Sequence, residues 1–172
     1  GDAGTRSLNF ALQAALNPPK PGKQERRFGE LIFREGDRVM QTRNDYDVVW
    51  QKEDGTAGTG IFNGDVGKIA KIDPSGELLE IVFDDRTATY TSDMLAELDM
   101  AYAMTVHKAQ GSEYRGVVFV GAPCAPSLMV RGVLYTAITR ARELLVIVGD
   151  DSAVNKMAEN DRRSRRYSGL KW

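Results

Sequence analysis

The hydrophobic pattern of this chain changes character along its length, which indicates more than one type of secondary-structure arrangement. Between Leu31 and Leu98 the pattern consists of short runs typical of β-strands, separated by turn residues. After Asp99 it changes to continuous apolar runs of strand length that alternate with helical patterns. We therefore expect two kinds of β-structure within one chain.

The central region predicts a small antiparallel barrel. Its turns are marked by Asn63–Gly64, Asp73–Gly76 and Asp84–Asp85, because these residue types favour tight connections. The strand-like runs are Arg38–Gln41, Gly60–Phe62, Gly67–Ile72, Leu78–Phe83 and Thr87–Tyr90. About five short strands within roughly sixty residues favour a strongly bent barrel.

The flanking regions predict an α/β domain. Before the barrel, apolar residues between Leu8 and Leu16 have helical spacing, and Pro18–Arg27 predicts a loop. After it, buried strands are predicted at Ala101–Met104, Val117–Val120 and Leu144–Val148, and helices at Val130–Arg142 and at Asp151–Asn160 with a Ser152 cap. Strands that alternate with helices form a parallel sheet. The predicted division is one α/β domain, residues 1–35 and 99–172, with a barrel at 36–98 inserted.

Composition excludes several classes of protein. The chain is 42% hydrophobic and 27% charged, which is typical of globular proteins, and its apolar runs are shorter than a membrane span. We therefore expect no membrane partner. The sole cysteine, Cys124, and the sole histidine, His107, allow neither a disulfide nor a zinc site, so we expect no bound metal and a cytoplasmic location. A net charge of -1 means that nucleic-acid binding would require local basic patches.

Two segments combine the residue types of a ligand site. Thr105–Glu113, TVHKAQGSE, follows a predicted buried strand, and open parallel sheets bind ligands at the carboxyl ends of their strands. Its polar groups suit phosphate, ribose or a nucleic-acid backbone, with an ordinary solvated connection as the alternative. Leu134–Arg142, LYTAITRAR, places Arg140 and Arg142 near a predicted helix C-terminus, where the helix dipole alone would account for them.

Together these segments resemble two helicase motifs. Ala101–Glu113 is similar to motif V, and Leu134–Arg142 to motif VI, of superfamily 1B helicases in the RecD-like group, the exodeoxyribonuclease V alpha-subunit type. Gly4–Pro18 resembles the segment that follows motif IV, and Gly36–Gly67 resembles the SH3-like barrel of the second motor domain. The resemblance covers essentially the whole chain. It implies a RecA-like, UvrD-like C-terminal domain with an SH3-like insertion, acting in DNA repair and recombination.

The resemblance implies roles in ATP hydrolysis. In these motors ATP lies between two RecA-like domains, and an arginine of the facing domain stabilises the transition state. Motif VI assigns this role to Arg140, while Gln110, Gly111 and Glu113 of motif V are implied to contact ATP. No Walker A or Walker B pattern occurs, so the chain alone is not expected to hydrolyse ATP. The N-terminal RecA-like motor domain of the same protein is the expected partner, and it would hold Mg²⁺.

Single-stranded DNA is the second partner that the resemblance implies. Thr105, His107 and Lys108 are implied to face DNA phosphates, and Gln110 to link the DNA and ATP sites. On the barrel, Asn44 and Trp50 are candidates, because small barrels bind single strands with aromatic and polar side chains. A core position for Trp50 is the alternative.

The predicted function is the C-terminal part of an ATP-dependent 5′-3′ DNA helicase. Two alternatives stay open. One is a single-stranded DNA-binding module that has lost ATPase activity, and the other is a structural subunit of a recombination complex. A Walker A motif upstream in the same reading frame would favour the helicase, whereas stable co-purification with larger nuclease or helicase chains would favour the subunit.

Overall fold

The computed structural model describes residues 4–161, which divide into two compact units between Met104 and Thr105. The first unit contains, in chain order, α1 (Thr5–Leu16), β1 (Glu25–Phe28), β2 (Leu31–Arg34), β3 (Arg38–Gln41), β4 (Asp45–Gln51), β5 (Ala57–Ile61), β6 (Val66–Ile72), β7 (Leu78–Phe83), β8 (Arg86–Thr91), a 3-10 helix (Met94–Glu97) and β9 (Leu98–Met100). The second contains β10 (Tyr114–Gly121), α2 (Arg131–Ile138), β11 (Ala141–Gly149) and α3 (Asp151–Glu159).

The first unit is built on one antiparallel sheet with the strand order β5-β4-β8-β7-β6-β3-β9. This order is open, with β5 and β9 as its outer strands, and β1 and β2 form a separate hairpin. Along β7 and β8 buried and exposed positions alternate, so one face of these strands packs into the core. The fully buried side chains of this core include Phe33, Ile61, Leu79, Ile81 and Tyr90.

Strand predictions from short β-type runs bounded by turn residues are largely confirmed in the first unit. The predicted strands Arg38–Gln41 and Leu78–Phe83 are β3 and β7 with the same bounds. The predicted loop Pro18–Arg27 is wrong at its end, because β1 begins at Glu25 and pairs with the more apolar β2. The sequence also predicts a hairpin from Tyr46 to Phe62, and β4 and β5 form it. β1 is mostly charged, so it depends on its partner β2 more than on its own hydrophobicity.

The predicted strand Ala101–Met104 is wrong. The strand here is β9, which ends at Met100 and pairs antiparallel with β3. Ala103 is held by a side chain instead of a strand: the Asn9 carboxamide donates to the Ala103 carbonyl and accepts from the Ala103 N–H, both at 2.8 Å. The apolar character of this run therefore reflects its position at the edge of the first unit and not a parallel sheet.

One face of α1 carries carboxamides that hold the helix on its unit. Asn9, Gln13 and the C-cap residue Asn17 are spaced four residues apart and therefore share a face. Gln13 and Asn17 both donate to the fully buried carboxylate of Asp37 at 2.6 Å, and the Tyr102 hydroxyl donates to it at 2.8 Å. A buried carboxylate needs such donors, so this network attaches α1 to the turn between β2 and β3.

The second unit has two parallel strands joined through a helix. β10 pairs with β11 in a register that includes Val117↔Leu145 and Gly121↔Gly149, and α2 lies between them in the sequence. Phe119, Leu134, Ala137 and Met157 form the buried cluster of this unit. The predicted order of strand, helix and strand is confirmed for this pair. The wider RecA-like sheet stays a prediction.

Two helix boundaries differ from the predictions. α2 ends at Ile138 and β11 begins at Ala141, so Arg140 lies in the connection and Arg142 lies on a strand. The helix-dipole explanation therefore does not apply to Arg142. The N-cap of α3 is Asp150, whose carboxylate accepts from the Ser152 N–H at 2.8 Å, and the predicted Ser152 cap is wrong.

The helices of the described part are short. α1 has 12 residues, and within residues 4–161 no helix has the length and apolar character that a membrane crossing needs. The basic cluster at residues 162–166 and the tail Arg165–Leu170, which the resemblance includes, lie outside the described residues. The predicted domain division at 35/36 and 98/99 stays a prediction.

Candidate functional site

Residues Thr105–Glu113 fold into consecutive turns that lead into β10. The Ala109 N–H donates to the Thr105 carbonyl at 3.1 Å, and the Lys108 N–H donates to the Thr105 hydroxyl at 3.2 Å. Ala109 is buried and anchors the segment, whereas the side chains of Thr105, His107 and Lys108 are exposed. The segment precedes a parallel strand and does not follow one. The expectation that it lies at the carboxyl edge of a sheet is therefore wrong.

Gly111 gives this segment an open backbone. Its φ is +90°, a conformation that favours glycine, and no heavy atom lies within 4 Å of the place that a Cβ would occupy. The requirement for glycine here is therefore conformational and not a matter of close packing. The open space also lets a ligand approach the backbone. Contact with ATP at Gly111 and at the neighbouring Gln110 stays a prediction.

Arg140 lies in the short connection between α2 and β11, and its side chain is half-buried. Its Nη1 donates to the Ser112 carbonyl at 2.9 Å, its Nε to the Thr136 carbonyl at 3.2 Å and its Nη2 to the Thr139 hydroxyl at 3.3 Å. Its own carbonyl accepts from the Tyr114 N–H at 2.8 Å. The structure thus brings the two segments that the sequence singled out into direct contact.

A second contact between these segments is an ion pair that sequence reasoning missed. Arg142 Nε lies 2.7 Å from Glu113 Oε2, and both side chains are exposed. The hydrogen bond and positive charge of Arg142 hold the pKa of the Glu113 carboxyl below its usual range, and the charge of Arg140 adds a smaller effect. No local sequence pattern indicates this ion pair, because it follows from the parallel register that pairs Tyr114 with Ala141.

Asn44 belongs to the first unit and lies at the base of the β4–β5 hairpin. Its side-chain oxygen accepts from the Asn63 N–H at 3.0 Å, and its Nδ2 lies 3.5 Å from the Tyr46 hydroxyl. The Tyr46 ring makes an edge contact with Phe62, with ring centroids 5.5 Å apart. Asn44 therefore lies beside the exposed Tyr46 at the surface, and its predicted contact with DNA stays a prediction.

Trp50 is half-buried on β4 and packs against the core of the first unit. Two cations lie near its ring, with Lys52 Nζ 6.0 Å and Arg86 Cζ 5.9 Å from the centroid. A Cβ at Gly58 would lie 2.5 Å from the indole ring, so the ring covers the neighbouring strand. The alternative of a core role for Trp50 is supported by this packing, and its predicted contact with DNA stays a prediction.

A groove of about 720 Å³ runs beside Trp50, and its charge opposes DNA. The charged residues that line it are Asp45, Asp47, Glu53, Glu80 and Lys52. Carboxylates outnumber cations here, so this face repels the phosphates of a nucleic acid. Among the residues described, no group of three or more His, Cys, Asp or Glu side chains is placed to hold a metal ion.

The sequence models of two families match the chain. Residues 8–83 match the ATP-dependent RecD-like DNA helicase SH3 domain, and residues 100–148 match the UvrD-like helicase C-terminal domain. The second match includes both Thr105–Glu113 and Leu134–Arg142. The first match begins within α1 and ends at the end of β7.

Curated relatives carry related names. The chain is 36% identical over 170 residues to the ATP-dependent RecD2 DNA helicase of Deinococcus radiodurans, covering 99% of this chain and 22% of that protein. It is 31% identical over 136 residues to the RecBCD enzyme subunit RecD of Mycobacterium tuberculosis, covering 79% of this chain and 21% of the relative. The RecBCD enzyme subunit RecD of Haemophilus influenzae is 27% identical over 116 residues, covering 67% of this chain and 15% of the relative. The chain spans about a fifth of the length of the Deinococcus and Mycobacterium relatives.

Proposed function

Because the chain belongs to the RecD-like DNA helicases, we propose that it is the C-terminal motor part of an ATP-dependent 5′-3′ DNA helicase. In this proposal the second unit belongs to a RecA-like domain that faces the N-terminal RecA-like motor domain of the same protein across an ATP site. The first unit contributes the SH3-like barrel inserted in that domain. The parallel pair of β10 and β11 and the antiparallel sheet of the first unit support this assignment.

The observation that carries the proposal is the contact between Arg140 and the Ser112 carbonyl. It joins the segment that resembles motif VI to the segment that resembles motif V. The guanidinium is half-buried and donates to uncharged oxygens. A phosphate oxygen is a stronger acceptor for arginine than a carbonyl, so Arg140 can exchange these acceptors for the γ-phosphate of ATP. An arginine that faces the nucleotide from another domain contributes about 10³ to 10⁵ to the rate of phosphoryl transfer.

Other residues of the second unit are proposed to position the nucleotide. The residues present fit ATP, because Gly111 leaves open space beside its backbone and Lys108 and Arg140 supply positive charge within the two segments. Glu113 is proposed to accept hydrogen bonds from the ribose hydroxyls, and Gln110 to link the nucleotide to DNA. Mg²⁺ would be held by the N-terminal motor domain, so the chain by itself is expected to have no ATPase activity.

Single-stranded DNA is proposed to contact the exposed side chains of Thr105, His107 and Lys108. These residues occupy the turns before Gly111, so one segment would touch both DNA and nucleotide. In this arrangement, ATP hydrolysis can change how strongly the segment binds DNA. Asn44 and Trp50 remain a secondary DNA site in the proposal, since the acidic groove beside Trp50 disfavours phosphates.

The proposal is tested by Arg140→Ala in the intact helicase that contains this chain. ATP turnover is expected to fall by a factor of about 10³ or more, while affinity for single-stranded DNA changes little. Arg140→Lys keeps the charge but lacks the planar donor fork, so most of the loss should persist. Arg115→Ala, which removes an exposed arginine of β10 outside both segments, serves as the control. If DNA affinity collapses while turnover survives, Arg140 is a ligand of the DNA backbone and the assignment is wrong.

A second candidate function is favoured by the similarity to RecD subunits of RecBCD enzymes. In that case the parent protein acts as one subunit of a recombination complex. Affinity purification of the tagged parent protein, followed by size-exclusion chromatography, tests this. Stoichiometric co-elution with larger nuclease or helicase chains supports the subunit, and a monomeric peak with full helicase activity contradicts it.

A further inference from the structure

The orientation of Arg140 depends on where the Ser112 carbonyl lies. The Thr105–Glu113 segment has no β-ladder before β10 begins at Tyr114. Its turns are closed by internal hydrogen bonds, such as that from the Ser112 N–H to the Ala109 carbonyl at 3.2 Å. These bonds shape the segment but do not attach it to the connection between α2 and β11.

Val106 packs against the buried cluster of this unit, and two contacts on the C-terminal side of Ser112 add to that attachment. One is a backbone hydrogen bond from the Tyr114 N–H to the Arg140 carbonyl at 2.8 Å. The other is the ion pair between Glu113 and Arg142, with 2.7 Å between Oε2 and Nε. The ion pair uses side chains alone, so it can be removed without altering the backbone.

We infer that Arg142 is a positioning residue, which acts through Glu113 to hold the Ser112 carbonyl against the guanidinium of Arg140. The inference rests on the proposed function, because it assumes that the orientation of Arg140 matters for ATP hydrolysis. It assigns Glu113 a partner within the chain, in addition to the ribose contact that the resemblance implies. Arg142 itself does not need to touch the nucleotide.

The chain offers a matched control for this pair. Arg115 and Glu143 also join the start of β10 to the start of β11, with 3.0 Å between Nε and Oε1 and 3.1 Å between Nη2 and Oε2. Their side chains are 85% and 59% exposed, against 49% for Glu113 and 66% for Arg142. The control pair belongs to the same strands but includes no residue next to Ser112.

The experiment measures kcat and KM of the intact helicase for ATP and for 2′-deoxy-ATP. Glu113→Gln and Arg142→Gln are each expected to lower kcat about 3- to 5-fold, the size of effect that an exposed ion pair supports, and Arg142→Gln is expected to leave KM unchanged for both nucleotides. Exchanging the residues, as Glu113→Arg with Arg142→Glu, re-forms the pair and should restore most of kcat. Arg115→Gln and Glu143→Gln should change kcat by less than about 1.5-fold.

Two results would overturn the inference. In the first, Glu113→Gln raises KM for ATP but not for 2′-deoxy-ATP, and Arg142→Gln has no effect. Glu113 would then be a ribose ligand that acts without Arg142. In the second, the control variants lose as much kcat as the test variants. The loss would then reflect weaker pairing of β10 with β11 in general.

Failure of the proposed function can be recognised separately. Hydrogen–deuterium exchange of the 172-residue chain alone reports how firmly residues 105–113 are held, whatever the chemistry of the parent protein. Arg142→Gln is expected to speed exchange in this segment about 3- to 5-fold, and Arg115→Gln to leave it unchanged. If Arg140→Ala keeps full ATP turnover, the proposed function fails, yet faster exchange in Arg142→Gln would still support the positioning contact. Unchanged exchange in Arg142→Gln overturns the inference.

Discussion

Every nitrogen of the Arg140 guanidinium donates to an oxygen of its own unit, and all these oxygens are uncharged. The side chain is therefore held in one orientation without being neutralised. An arginine that had no acceptors would first have to lose the freedom of several torsions before it could meet a phosphate. In Arg140 this conformational entropy is already lost on folding. Nucleotide binding therefore requires only that phosphate oxygens replace the present acceptors of the guanidinium. Glu113 and Arg142 lie beside this arrangement as a neutral pair.

Two glycines of the second unit, Gly111 and Gly132, should change the free energy of unfolding in opposite directions when replaced by alanine. Gly111→Ala should lower the free energy of unfolding by about 1 to 2 kcal/mol, since φ is +90° although the surrounding space is open. Gly132 lies in α2 with no positive φ and nothing within 4 Å of a Cβ, so Gly132→Ala should raise it by about 0.5 to 1 kcal/mol. Thermal and urea unfolding of the chain measure both changes. Equal effects of the two substitutions would show that the backbone of residue 111 is not constrained.

Among the elements, α1 is attached in part through one buried carboxylate. Asp37 is fully buried and accepts from Gln13, Asn17, Tyr102 and the Arg34 N–H. Asp37→Asn removes the charge and turns one acceptor into a donor that faces other donors. We expect the free energy of unfolding to fall by about 3 kcal/mol, because hydrogen bonds to charged groups are among the strongest and the remaining donors stay buried.

Urea denaturation followed by circular dichroism measures this loss. Asp85→Asn is the control, since Asp85 is exposed and pairs only at the surface with Lys52. It should change stability little. A similar small effect for Asp37→Asn would show that α1 is held mainly by its other contacts, such as those of Asn9 with Ala103.

The elements also show what a sequence can and cannot predict. β3 and β7 were predicted with their observed bounds, because both are short runs of β-forming residues; burial alternates along β7, whereas three of the four β3 positions are buried. β1 was missed because three of its four residues are charged, and its pairing with β2 stabilises it. For the site, motif resemblance singled out both segments, but their contacts could not be predicted. The register of β10 against β11 pairs residues about thirty positions apart, and local patterns do not encode it.

For the molecule as a whole, the charge balance predicts weak DNA binding. The net charge is -1, and the groove of the first unit is acidic. The 172-residue chain should therefore bind single-stranded DNA weakly and lose affinity steeply with salt, with a slope of about 0.7 per phosphate contacted. Titration of a labelled oligonucleotide at several salt concentrations measures this slope.

Substitutions then locate the DNA site. Thr105→Ala with His107→Ala should weaken binding, because these exposed groups are proposed to donate to phosphates. Asn44→Ala is the matched test of the first unit, since Asn44 is exposed and its loss leaves the core intact. If only Asn44→Ala weakens binding, the DNA path runs over the first unit and the proposed role of Thr105–Lys108 is wrong.

The contact between Asn9 and Ala103 has a consequence for which residues evolution can place at position 9. A carboxamide carries the same donor and acceptor as a peptide group, and here it forms both hydrogen bonds that a neighbouring strand would offer to Ala103. Aspartate at this position lacks the donor, leucine lacks both groups, and glutamine is longer by one methylene. On the partly exposed surface of a helix many side chains are normally interchangeable. At position 9, however, asparagine is the residue that supplies both groups at the right length, so few substitutions should be tolerated there.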